Sequence, residues 1–112
     1  MADTNFSGVA ASDSLTVGAA GVATPITQIR VYTPSINPAS IAAATSVEQT
    51  AAVPGLTTAD KVVVIKPTAT AGVGIVNARV SAADTLALTW MNATAGAVDP
   101  PAETYTVLAF RS

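Results

Sequence analysis

The sequence predicts an all-β domain, a compact β-sandwich or small barrel of about six short strands preceded by an extended N-terminal arm. Short apolar or alternating blocks recur along the chain: ITQIRVYTP, VVVIKP, GIVNARV, TLALTW and ETYTVLAFRS. These blocks are rich in Val, Ile, Thr and aromatic residues, which fit a pleated surface. Turn formers divide them, most clearly in the central stretch Lys61 to Trp90, where TATAG and SAAD separate three strands.

The first 24 residues read as the arm, with the β-domain running from 25 to 112. They mix Ala, Gly, Ser, Thr and Asp with isolated Phe6, Val9, Leu15, Val17 and Val22, and hold neither helical nor strand periodicity. Two readings stand: a fraying terminus, or an extended segment that orders by lying on a neighbour. On the second, Phe6, Val9, Leu15 and Val17 are candidate partner-interface residues.

ITQIRVYTP follows Thr24-Pro25 as a strand. It sets Ile26, Gln28, Arg30 and Tyr32 on one face and Thr27, Ile29, Val31 and Thr33 on the other. Pro34 ends it, and SINPAS, with Pro34 and Pro38 around Asn37, reads as a turn. IAAATSVEQTAAV has helix-permitting alanines, yet Thr45, Val47 and Thr50 and the stop at Pro54-Gly55 favour a strand. Its faces, Ser46, Glu48 and Thr50 against Val47, Gln49 and Ala51, are both weakly apolar, which suits a sheet edge or a subunit contact. LTTADK connects to VVVIKP, whose unbroken apolar run predicts a central strand covered on both sides, with Lys66 reaching solvent.

GIVNARV and TLALTW form a hairpin around SAAD, in which Asp84 is placed to hydrogen-bond its own turn. Leu86, Leu88 and Trp90 face one way and are the best core candidates. Trp90 reads as a packing anchor rather than a sugar-stacking platform, because no aromatic stripe accompanies it. AGAVDPPAE is a polar loop. The closing strand puts Tyr105, Val107 and Ala109 on one side and Thr106, Leu108 and Phe110 on the other.

Composition narrows the function. The 112 residues suffice for one core, but 50% are hydrophobic while only 4% are aromatic, so small aliphatic side chains supply the apolar surface. Charged residues make up 11%, and mean hydropathy is +0.50, which predicts that part of the surface is covered by another subunit. Five basic against seven acidic residues argue against a nucleic-acid partner. The absence of Cys and His removes disulfides, thiolate and imidazole chemistry and the usual zinc ligands, and no cofactor or metal is expected. The first residues carry acids where a secretory signal needs Lys or Arg, and no apolar run approaches the ~20 residues of a membrane-spanning helix. The Asn92-Ala93-Thr94 match to a glycosylation acceptor is therefore read as chance.

Catalytic groups are not indicated. The acids Asp3, Asp13, Glu48, Asp60, Asp84, Asp99 and Glu103 are scattered and suit solvated or capping roles, so an enzyme is not expected. The glycines of TATAGVG lack the third glycine and the Lys of a phosphate loop and read as a turn or bulge. Arg79 is singled out as a partner-interface candidate. It lies mid-strand, on the face assigned to Ile75 and Asn77, where it suits a bidentate pair with a carboxylate of another strand or chain.

From about Val47 to Arg111 the chain resembles a family of small structural proteins of tailed bacteriophages. The likeness is carried by a KPT-AGxGI segment, NARVSAADTLAL, an aromatic-Asn-x-Thr stretch and a final ETY strand. It implies a capsid decoration, or cement, protein on the virion surface, assembled in the host cytoplasm. Such a protein binds the major capsid protein and forms a homo-oligomer, a trimer or dimer, without engaging nucleic acid or membrane. The alternative is a carbohydrate- or receptor-binding module of a tail or fibre, which calls for exposed aromatic residues around a polar groove.

Overall fold

The structure, a computed structural model, describes residues 26–112, so the expected arm and its candidates Phe6, Val9, Leu15 and Val17 lie outside the described residues. The described residues are all-β. The strands are β1 (Gln28–Tyr32), β2 (Ser35–Ile36), β3 (Thr45–Ala52), β4 (Lys61–Ile65), β5 (Val73–Ala82), β6 (Thr85–Asn92), β7 (Glu103–Thr104) and β8 (Thr106–Arg111). Eight strands stand where about six are expected, because a two-residue piece forms within the SINPAS turn and the closing strand is interrupted at Tyr105 into β7 and β8. Ser35 and Ile36, just after Pro34, pair antiparallel with Glu103 and Thr104.

Two three-stranded antiparallel sheets, β1-β8-β4 and β3-β6-β5, form a sandwich-like pair, joined by the β2-β7 ribbon and staying open rather than closing into a barrel. β4 approaches β5 along one side. The predicted hairpin is present as β5-β6, and the Ala-rich segment before Pro54 is the edge strand β3.

The inner faces meet on Leu86, Leu88 and Trp90 of β6, Val107 and Ala109 of β8 and Tyr105 just before it, closed off by Ile36 of β2 and by Ile41, Val53 and Leu56 from the connections. Each fully buried Leu-sized side chain here stabilises the fold by roughly 1.5–3 kcal/mol. The Leu86, Leu88 and Trp90 face expected as core is thus the inner face of β6, and of the two sides of the closing strand the one with Tyr105, Val107 and Ala109 turns inward.

Four local expectations change. VVVIK is β4, an edge strand paired only with β8, and it buries alternate residues rather than a continuous run. The side chain of Lys66 is largely covered rather than free in solvent. It is 11% exposed and donates to Glu103 Oε1 at 2.8 Å, which also takes Glu103 out of a solvated role. Asp84, at φ 58°, takes the left-handed turn position that Asp tolerates. Its carboxylate reaches away from its own turn and accepts from the Gly55 N–H at 2.8 Å. Its backbone is tied to the same loop, to Val53 at 2.9 Å and to Leu56 at 2.8 Å, so the hairpin tip is anchored on residues 53–56. Finally, a register shift between Ile75 and Asn77 inserts Val76 as an extra residue. Ile75 therefore faces the core, while Asn77 and Arg79 face outward.

Candidate interaction surface

Alternation along the β1-β8-β4 sheet decides what it shows to solvent. Tyr32, Val62, Val64, Val107 and Ala109 turn inward. The opposite parity stands in register as two cross-strand rows, Ile29–Phe110–Lys61 and Val31–Leu108–Val63, with Ile65 beside Thr106. Ile29, Val31, Val63 and Ile65 are 56%, 63%, 51% and 58% exposed, and they flank the half-buried Leu108 and Phe110. Six apolar side chains thus form one continuous outer face, of a kind that monomeric proteins usually cover.

The outer face of β3-β6-β5 is different. Ser46, Glu48 and Thr50 of β3, Thr89 of β6 and Asn77 and Arg79 of β5 make it polar, with Met91 and the bulged Val76 as its exposed apolar residues. Arg79 donates from Nε to Glu48 Oε2 at 2.9 Å and from Nη2 to Glu48 Oε1 at 2.8 Å. This fork spans β6 and roofs Ala87, which has no exposure. The hydrogen bonds from Arg79 hold the Glu48 carboxyl below its ordinary range. The expected bidentate Arg79 pair therefore exists, made to a strand of the same chain. Both groups stay in contact with water, so screening limits what the pair adds to stability.

Two further ion pairs tie connections to strands. Asp60, whose side chain is 4% exposed, accepts from Arg111 Nε at 2.6 Å and from the Thr57 N–H at 2.8 Å, and Arg111 holds its carboxyl below the usual carboxylate range. Glu103 accepts from Lys66 and from the Thr68 hydroxyl and is likewise lowered, chiefly by Lys66. Three of the acids thus serve in ion pairs and Asp84 as the acceptor of a backbone N–H, and among the described residues no group of three His, Cys, Asp or Glu side chains comes together.

Trp90 is 1% exposed and presents no ring face for stacking. A cleft of about 270 Å³ lies beside it, lined among others by Ser35, Asn37, Gln49 and Thr50. Its wall is fastened where the Gln49 carboxamide accepts from the Ala39 N–H at 2.9 Å and donates to the Ala39 carbonyl at 3.0 Å. Asn92, read as a chance glycosylation match, is buried and hydrogen-bonded within the protein, so its amide is engaged in structure.

Of the candidate interface residues, the structure describes Arg79 alone and places it on the polar face. The apolar face was not anticipated. Its signal was present: ITQIRVY, VVVIK and TVLAF each carry apolar residues on both parities, whereas a two-layer sandwich needs only one. No protein-family model matches the chain, and no curated protein or solved structure matches it either.

Proposed function

We propose that the protein is a virion structural protein of a tailed bacteriophage, a capsid decoration protein that stabilises the head shell by binding neighbouring capsid subunits. The observation that carries the binding role is the asymmetry of the sandwich. One outer face is apolar over six side chains and needs a cover, while the opposite face is polar and suited to solvent. The virion assignment draws on the resemblance of Val47 to Arg111 to phage structural proteins, and the low charge and small aliphatic surface agree with a protein held in a packed shell. The mechanism is binding without chemistry, spread over many copies.

Quantitative mass spectrometry of purified particles of the source tests this. A copy number comparable to that of the major capsid protein, or a simple fraction of it, is expected. A handful of copies per particle would move the protein to a tail or fibre, and absence from particles would overturn the reading.

A further inference from the structure

We propose that the free edge of β3 is a pairing site for β3 of a second copy of this chain, the two strands running antiparallel about a two-fold axis so that two three-stranded sheets become one. The site lies on the other sheet from the apolar face and does not rest on the virion reading. A chain that pairs in solution and is absent from particles keeps this inference and loses that one.

The ladder fixes which groups are on offer. β3 ends its sheet, and its register against β6 runs without a shift from Thr45 to Ala52. One step further on, the Val53 N–H donates to the Asp84 carbonyl at 2.9 Å. Antiparallel pairing alternates, so residues 45, 47, 49 and 51 bond toward β6, while the N–H and C=O of Ser46, Glu48, Thr50 and Ala52 point to the free edge. Among the described residues no strand takes them up. The cleft beside Trp90 separates residues 35–38 from residues 49–52, so that segment does not close over the edge. The devices that blunt other edges are missing here. β1 carries Arg30, β4 opens on Lys61 and is followed by Lys66-Pro67, and β5 has two register shifts and lies along β4. β3 holds no Lys, Arg or Pro. Its one charge, Glu48, is drawn back over β6 by Arg79, which leaves the edge clear.

The strand's own sequence selects the occupant. A two-fold axis normal to the sheet keeps outer residues beside outer residues, and the register centred on Gln49 is the one that pairs all four edge-facing residues of both chains. Ser46 then stands opposite the partner's Ala52, and Glu48 opposite the partner's Thr50, in hydrogen-bonded pairs. The register centred on Glu48 would instead set two carboxylates opposite each other and carry Ala52 past the start of the partner strand. On the inner side, Val47 meets the partner's Ala51. Val47 has the inward parity, opposite Trp90, yet is 40% exposed because the sheet stops at β3. Polar meets polar on one face and apolar meets apolar on the other, so the extended sheet keeps the character of both.

The wild-type chain tests this directly. Over a dilution series from millimolar to low micromolar protein, the light-scattering mass is expected to fall from two chains to one. Over the same series, amide hydrogen exchange at Ser46, Glu48, Thr50 and Ala52 is expected to quicken at least tenfold, while Val47 and Gln49, bonded to β6, change less than twofold. The chain contains no Cys, so engineered thiols report position without background. At the axis the two Gln49 positions have Cα atoms ~4.5 Å apart, within disulfide reach. Two Val47 positions are offset by ~14 Å along the strands, out of reach. Oxidised Gln49→Cys is therefore expected to give at least fivefold more covalent dimer than Val47→Cys. Thr50→Pro removes an edge N–H and no bond to β6, and is expected to be monomeric with the circular dichroism of the folded β-protein. A wild-type chain that stays monomeric at millimolar concentration overturns the proposal. So does a dimer whose four edge amides exchange as fast as in the monomer, which puts the contact on another surface such as the apolar face. Edge amides protected in a monomer put a segment of the same chain on β3 and overturn it too, as does equal crosslinking at the two positions.

Discussion

Replacing Asn92 with Asp changes one atom type at a site where every hydrogen bond is accounted for. Asn92 is 1% exposed at the end of β6. Its Nδ2 donates to the carbonyls of Ile41 and Gly96, both at 2.9 Å. Its Oδ1 accepts from the Thr94 N–H at 2.8 Å and the Thr94 hydroxyl at 2.7 Å. In Asn92→Ala the Ile41 carbonyl keeps Val98 N at 3.0 Å, and the Thr94 hydroxyl, whose one proton lies within reach of both Asn92 Oδ1 and the Gly96 carbonyl, turns to the Gly96 carbonyl at 2.8 Å. The cost falls mainly on the Thr94 N–H, which loses its acceptor, and is about 1–3 kcal/mol. Asn92→Asp is worse at neutral pH, since an ionised oxygen faces two carbonyl oxygens. About 3–5 kcal/mol is expected, a large part of the stability of a domain this size. Burial and the facing carbonyls raise the folded-state pKa of the introduced carboxyl above its unfolded value of about 3.9. Its stability contribution is therefore complete below that value and lost as pH rises through the raised one. Protonated, it can donate to one carbonyl, so the gap to wild type narrows on acidification. Urea unfolding followed by the fluorescence of Trp90, the single tryptophan, at pH 7 and near pH 3.5 measures both points. Asn92→Asp within about 1 kcal/mol of wild type at pH 7, or a gap that widens in acid, would refute the reasoning.

The wild-type protein should itself weaken in acid. Glu48, Asp60 and Glu103 have folded-state pKa values below their unfolded ones, so the stability they contribute is present above the unfolded carboxylate range and lost as pH falls through the lowered values. Urea midpoints are expected to fall below about pH 4, with a flatter profile for Asp60→Asn. Gly72→Ala should cost at least about 1–2 kcal/mol in the same assay, since φ of 74° strains an L-residue and the new Cβ collides with the Thr94 methyl group. Leu88→Ala, at 2% exposure between the sheets, should lower stability by about 2–5 kcal/mol without changing the β-type circular dichroism.

What the sequence made legible follows from the length scale of each constraint. Period-2 patterning in TLALTW exposes which residues are buried, because each parity of a central strand meets one environment, and Leu86, Leu88 and Trp90 were assigned to the core correctly; in TYTVLAF the same pattern separates the two sides but, with apolar residues on both, does not say which is buried. The SAAD hairpin was equally readable, since adjacent strands joined by a short turn leave little choice of partner. VVVIK misled for a physical reason: apolar residues on both parities describe a strand buried twice and an edge strand with an apolar outer face equally well. The partner of a charged side chain was also out of reach where it sits far along the chain, as with Lys66 and Glu103 or Asp60 and Arg111. Arg79 was half legible. Its bidentate geometry follows from residue type and mid-strand position, but the bulge at Val76 that sets its face leaves only a trace in the sequence. For the apolar face, the pattern in each strand was visible, while the register that assembles three stripes into one surface was not.

The placement of β8 between β1 and β4 governs how the fold can be reached in time. Thr27 and Arg111, which already hydrogen-bond across this sheet, are 84 positions apart in the chain. Neither β1 nor β4 finds a ladder partner in its sheet until β8 arrives, whereas β5 and β6 can close on each other locally. Loop closure over such a distance must be paid before any of its contacts form, which puts folding in the millisecond-to-second regime of non-local β topologies. During that interval β1 and β4 expose their apolar side chains and unpaired backbone edges, so refolding yield should fall with protein concentration. The β5-β6 hairpin is the natural nucleus, and β8 is the clasp that makes the transition cooperative.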